Sequence, residues 1–218
     1  MSEDQTSKKS SMADEAEGKV GGDVPAKRTR PKPGERRVQI LQTLASMLER
    51  PGAERVTTAA LAAKLDVSEA ALYRHFASKA QMFEGLIEFI ESSVLGLVNQ
   101  ITERETNAST RLGKMIAMLL QFGEKNPGMC RVMTGDALVF ENERLQERMN
   151  QLFDKLESSF KQSLRDLVAG SATPTVEAQA RASVLTAFCM GRLQRYGRSS
   201  FKRMPTEHLE ASLAQLLG

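Results

Sequence analysis

Apolar residues recur at three- and four-residue spacing through most of this chain, and polar breaks cut the recurrence into a series of helices. A first helix is predicted over residues 35 to 49. Val38, Leu41, Leu44, Ala45 and Leu48 form its inward stripe, and Pro51-Gly52 ends it. Two short helices follow, one from Thr57 and one from Ser68, joined by the turn Leu65-Asp-Val-Ser68. Ser78 then caps a long helix, with Gln81 three residues on, that continues through Met82, Phe83, Leu86, Ile87, Ile90 and Val94 to about Ile101. Because it is continuous, a tilt at its far end moves whatever stands at its start.

Residues 103 to 109 read as a polar loop, and a fifth helix is predicted from about Thr110 to Lys125. Asn126-Pro-Gly128 stops it, and a short helix around Met129 to Thr134 follows. A long amphipathic helix is predicted from Phe140 to Leu167, with Leu145, Met149, Leu152, Phe153, Leu156, Phe160 and Leu164 on one face. Ala169 to Pro174 breaks it. Another helix runs from Val176 to about Arg198, and Thr206 is expected to cap a last one through Leu209, Leu213, Leu216 and Leu217. No strand and no internal repeat emerges, so the fold class is all-α.

The two short helices carry the densest local signals. Thr57 and Ser68 are N-cap residues, whose hydroxyls accept from backbone N–H groups left unpaired in a first turn. Val56 with Leu61, and Val67 with Leu72, have the spacing of hydrophobic staples. Leu61, Leu65, Leu72 and Phe76 fall inward, and Glu69, Ala70 and Tyr73 outward. Two short helices on a tight turn make a helix-turn-helix, whose second helix lies in the major groove of DNA. Glu69 at its start suits a cytosine amino group, and the methyls of Ala70 and Ala71 suit thymine methyls. Thr57, Thr58, Tyr73, His75 and Lys79 carry donors for phosphate oxygens, which fix register without reading sequence. Ser68 adds the amides of its helix start. Arg74 stands either at phosphate or tied back to the protein.

Composition narrows the rest. The 218 residues are 41% hydrophobic and 26% charged, enough for a real core, and no apolar run is long enough to span a bilayer. Residues 1 to 34 have few apolar side chains and are expected to be disordered. The stretch Lys27 to Arg37, from the end of this tail into the first helix, is strongly basic, and reads either as a solvated linker or as an arm on DNA. Net charge is only +3, so DNA binding depends on where the cations sit. Cys130 and Cys189 read as two buried, reduced thiols of a cytoplasmic chain. With only His75 and His208, no phosphate loop and no metal-ligand spacing, neither an enzyme nor a cofactor is expected.

Val67-Ser-Glu-Ala-Ala-Leu-Tyr-Arg-His-Phe76, followed by Ser78-Lys and Met82-Phe83, resembles the DNA-binding half of the TetR family. That resemblance implies residues 35–80 as a three-helix DNA-binding domain and 81–218 as a helical dimerisation and regulatory domain. The leucine and small-residue faces of the last helices then make a homodimer across a two-fold axis, reading palindromic double-stranded DNA.

Further blocks resemble the nucleoid occlusion factors within that family. They are Leu86 to Glu91, Phe122 to Gly128, Thr134 to Glu141, Arg144 to Phe153, Ala187-Phe-Cys-x-Gly191 and Ser200 to Lys202. The resemblance implies a nucleoid-associated inhibitor that binds the division protein FtsZ and keeps the Z ring off the chromosome. It places the FtsZ contact at Phe89, Met118, Lys125 and Asn126. Leu97 and Gln121 depart from the family's Arg and Gly there, and Lys125 stands for an Arg. The alternative is a ligand-responsive TetR repressor, with Met115, Met118, Phe122, Met133 and Phe140 about a cavity. A stripe of that kind is more often core, and no small-molecule effector is expected.

Overall fold

The computed structural model describes residues 34–50 and 55–217, and the expectations for the N-terminal tail and for the Pro51-Gly52 stop lie outside them. The first helix, α1, is Glu35–Leu48. Ile40, Leu44, Ala45 and Leu48 are buried along it. Val38, expected on that stripe, is instead 53% exposed. Two residues are about 200° of helix, so once Ile40 points inward Val38 must point out.

The helix-turn-helix forms as its local signals direct. α2 is Thr58–Leu65, and the Thr57 hydroxyl accepts from Ala60 N–H at 3.1 Å. α3 is Glu69–Tyr73, and Ser68 Oγ accepts from Ala71 N–H at 3.3 Å. In the turn between them Asp66 takes a left-handed φ of 53°, which Asp tolerates better than most residues, and its N–H donates to Ala63 C=O. Leu61, Leu72 and Phe76 are buried, as is Val56.

Ser78 caps α4, Lys79–Arg104, by accepting from Gln81 N–H at 3.2 Å. At about 1.5 Å per residue, this helix runs from the tip of the motif deep into the rest of the molecule. It is longer than its apolar stripe announced, because Thr102 to Arg104 continue it into the expected loop. Only three residues separate it from α5, Ala108–Lys125, since Asn107 caps α5 by accepting from Thr110 N–H at 2.9 Å.

α6 is Pro127–Met133, with Pro127 in its first turn, where no N–H is missed. It packs across α1. Gly128 makes this approach possible: a Cβ there would lie 2.0 Å from the Ala45 carbonyl oxygen. A single 3-10 turn, Asp136–Leu138, leads into an exposed corner at Val139 and Phe140.

The long amphipathic helix, α7, is Glu143–Leu167. Phe140, expected to open it, lies outside, because Asn142 provides the cap by accepting from Arg144 N–H. Leu145, Met149, Leu152, Phe153, Leu156, Phe160 and Leu164 face the core as predicted. α7 pairs closely with α8, Pro174–Arg198, and both pack on α5. The last helix, α9, is Leu209–Leu217 and rests on α5. Thr206 does not cap it: its hydroxyl donates to Glu124, and the chain enters α9 through His208 at φ 53°.

One core runs through the described residues, from Ile40 and Leu61 to Leu193 and Tyr196. Cys130 and Cys189 are buried in it as free thiols, and burial pushes both up to about 12, so they stay protonated. Ion pairs tie α4 to α7 along its length: Arg144 meets Glu84 at 2.6 Å and Arg148 meets Glu91 at 2.6 Å. The Glu91 hydrogen bond raises the Arg148 guanidinium above its ordinary range. Among the described residues no helix is long and apolar enough to cross a membrane.

Candidate nucleic-acid interface and partner face

The second motif helix presents Glu69, Ala70 and Tyr73 to solvent, while Leu72 between them is buried. Ala71 is half-buried behind them. The outward set is the one the spacing predicted.

Glu69 is not a free carboxylate. Thr58 Oγ1 donates to Glu69 Oε2 at 2.6 Å, across the turn from α2. Thr58 thus orients Glu69 and leaves it further acceptor sites for a base. Thr57 and Ser68 are exposed, with their oxygens engaged by their own helix starts, and each hydroxyl hydrogen remains to be donated. We expect Glu69→Ala to lower the ratio of specific to random-duplex affinity by about tenfold, since one base pairing is worth about 1–3 kcal/mol. Thr58→Val should lower it less and leave random-duplex binding as it was. Competition binding at one salt concentration measures both, and an unchanged ratio in Glu69→Ala rules out the base contact.

Arg74 is exposed at the end of α3, and so is His75. The His75 carbonyl oxygen accepts from Arg37 Nη1 at 2.9 Å, and the Arg37 guanidinium lies 4.1 Å above the Phe76 ring. The last arginine of the basic stretch therefore also braces α1 against the end of the motif. Nothing in the local pattern singled it out for that.

Lys79 differs from the sequence expectation. Its ammonium donates to the Glu141 carboxylate, 62 positions on, and its side chain is only 18% exposed. The same carboxylate lies 3.6 Å from Arg55 Nε. Lys79 thus reaches across to the segment before α7 and is not presented freely at the tip. Periodicity carries no signal for such a pair.

The α4–α5 face separates its expected partner residues. Phe89 is 49% exposed although Leu86 and Ile90 beside it are buried. Leu97, two turns further along α4, is also exposed, as are Gln121 and Lys125 on α5. Met118 is half-buried against the core. Asn126 is occupied structurally, its Nδ2 donating to Phe122 C=O at 2.8 Å at the end of α5.

The residues expected about an effector cavity differ widely in exposure. Met115 and Met133 are core, and Phe140 is 73% exposed at the corner before α7. Two clefts of about 480 and 450 Å³ are lined chiefly by polar residues, among them Arg111, Ser163 and Asp166 in one and Asp136, Gln146 and Gln194 in the other. Among the described residues no group of His, Cys, Asp and Glu is placed to hold a metal ion.

Residues 40–86 match the model of bacterial regulatory proteins of the tetR family, and residues 106–217 match the tetracyclin repressor-like C-terminal domain. The chain is 50% identical over 177 residues to the nucleoid occlusion factor SlmA of Idiomarina loihiensis, covering 81% of this chain and 90% of that one. It is 51% identical over 179 residues to SlmA of Salmonella paratyphi B, with the same coverage.

Solved structures share the fold at low identity. FadR of Bacillus halodurans superposes with a TM-score of 0.68 at 14% identity, over 86% of this chain and 97% of that one. FadR of Bacillus subtilis, in complex with stearoyl-CoA, gives 0.67 at 12%, over 83% and 97%. The chain belongs to the TetR family and, within it, to the SlmA group of nucleoid occlusion factors.

Proposed function

We propose that this protein is a nucleoid occlusion factor: a homodimer that binds palindromic DNA on the chromosome, holds FtsZ, and opposes Z-ring assembly there. The observation that carries the reading is the exposed outward set of α3, Glu69, Ala70 and Tyr73, on a chain half identical to SlmA. Residues 35–80 are the DNA-binding domain and 81–218 the dimerisation and partner domain.

Contact with the duplex falls to Thr57, Thr58, Ser68, Glu69, Ala70, Ala71, Tyr73, Arg74 and His75, with Lys79 behind them. Pairing uses α8 and α9. α8 buries Ala178, Ala182, Leu185 and Leu193, its small-residue and leucine face, in this chain's own core. It leaves Val176 and Val184 exposed on another face with Ala180 and Ala187, a smooth surface for a second copy. Two heads about 34–36 Å or a multiple apart read two half-sites and add their binding energies. FtsZ binds across α4 and α5, with Phe89 as the apolar anchor, Met118 beside it, Lys125 as the charge and Asn126 at the edge. Such a protein works in the cytoplasm, on the nucleoid.

The test is capture of FtsZ by the purified protein, with and without genomic DNA fragments, sequencing the fragments that are held. FtsZ should be retained, more strongly with DNA, and the fragments should share a palindrome. A protein that stays monomeric and holds neither refutes the proposal.

A further inference from the structure

The Lys79–Glu141–Arg55 cluster sits where the motif meets the rest of the molecule. Lys79 is the first residue of α4, just past the Ser78 cap and four residues beyond His75. Arg55 lies two residues before the Thr57 cap of α2. Arg55 thus stands just before α2 and Lys79 opens α4, both at helix N-termini, where backbone dipoles favour anions. Phosphate binding wants cations in such places. Here one carboxylate takes both, and it comes from outside the motif, from the corner before α7. Its side chain is 7% exposed and that of Lys79 18%, so salt screens this pair poorly. Arg55 is more open, at 58%.

We propose that Glu141 is an internal competitor for DNA phosphate, holding Lys79 and Arg55 and so setting how tightly the protein grips any duplex. This rests on the DNA-binding reading above. A phosphate oxygen accepts the same charge-assisted bonds from Lys and Arg as a carboxylate does. Bound DNA must either draw Lys79 off Glu141 or leave it neutralised, and each course weakens binding relative to a free cation. The effect falls on the sequence-independent part of affinity, leaving base reading through Glu69 unaltered.

Glu141→Gln keeps the shape of the side chain and removes its charge. We expect it to tighten binding to operator and random duplex alike, by about tenfold at low salt, and to steepen the slope of log K against log salt by about one. Glu147→Gln makes the same change in net charge at an exposed site on α7 and should shift affinity by less than about twofold.

A Glu141→Gln protein that binds DNA no more tightly than wild type overturns the inference, as does equal tightening by Glu147→Gln. If Glu141→Gln melts more than about 10 °C below wild type, Glu141→Asp replaces it. That change keeps the charge but draws it back by one methylene, and about threefold tightening is expected. No tightening again overturns the inference. If wild type binds no duplex at all, the DNA-binding reading fails instead, so the two failures are told apart.

Discussion

Gly128→Ala will lower the melting temperature by about 5–10 °C and weaken binding to every duplex. The added methyl would lie 2.0 Å from the Ala45 carbonyl oxygen and 2.9 Å from its carbonyl carbon. Those are backbone atoms of α1, which cannot turn aside as a flexible side chain can. α6 must therefore back away from α1. Overpacking of this kind costs about 1–3 kcal/mol, sometimes more, and each kcal/mol is about 2–4 °C in a chain of this size.

α1 also carries Arg37, the brace on the His75 carbonyl, so the displacement reaches the motif as well as the core. Gly113→Ala is the control. Its Cβ would meet only Leu213 Cδ1, at an ordinary 3.8 Å, and alanine is the better helix former by about 1 kcal/mol. Calorimetry of the two variants decides the matter. Equal melting temperatures would show that α6 does not depend on this approach.

Phe89→Ala is expected to lower affinity for FtsZ by about thirtyfold or more while leaving DNA affinity within about twofold. A half-exposed phenyl ring between buried Leu86 and Ile90 contributes little to the core and much to anything that covers it. Central apolar anchors of interfaces are worth about 2 kcal/mol or more on truncation to alanine. Fluorescence anisotropy with labelled FtsZ, beside a gel shift with operator, separates the two affinities. Equal loss of both would mean that Phe89 supports the fold and is no anchor. Asn126→Ala should behave differently and destabilise the protein modestly, because its amide serves the end of α5.

The contrast between Thr57 and Thr206 shows what the sequence makes legible. Both are threonines just before an apolar helical run. Thr57 caps because its partner, Ala60 N–H, is three residues away and Val56 and Leu61 fix the entry angle. Caps and staples are local, so the whole helix-turn-helix was readable, down to its outward residues. Thr206 is instead drawn to Glu124, 82 residues distant, and stands two residues before His208, whose carbonyl accepts the first bond of α9.

The same distinction explains the other differences. Val38 lost its place to Ile40 because packing against several helices at once chooses the phase of a stripe, and a stripe alone leaves the phase open by a residue or two. Hydrophobicity alone assigns Phe140 to a helix, whereas the Asn142 cap places the helix start three residues later. The pairing of Lys79 leaves no trace in the sequence because its partner, Glu141, is remote in the chain and carries no periodic signal.

The rungs between α4 and α7 limit how the long helix can move. Glu84 and Glu91 are seven residues apart, and Arg144 and Arg148 are four apart. Sliding α4 forward or backward by one turn would bring Leu95 or Ala80 opposite one of the two arginines and forfeit a pair in either direction. Axial ratcheting is therefore opposed, while pivoting about the rungs is not. The motion left to α4 against α7 is a change of angle, which in the proposed dimer would alter the separation of the two heads.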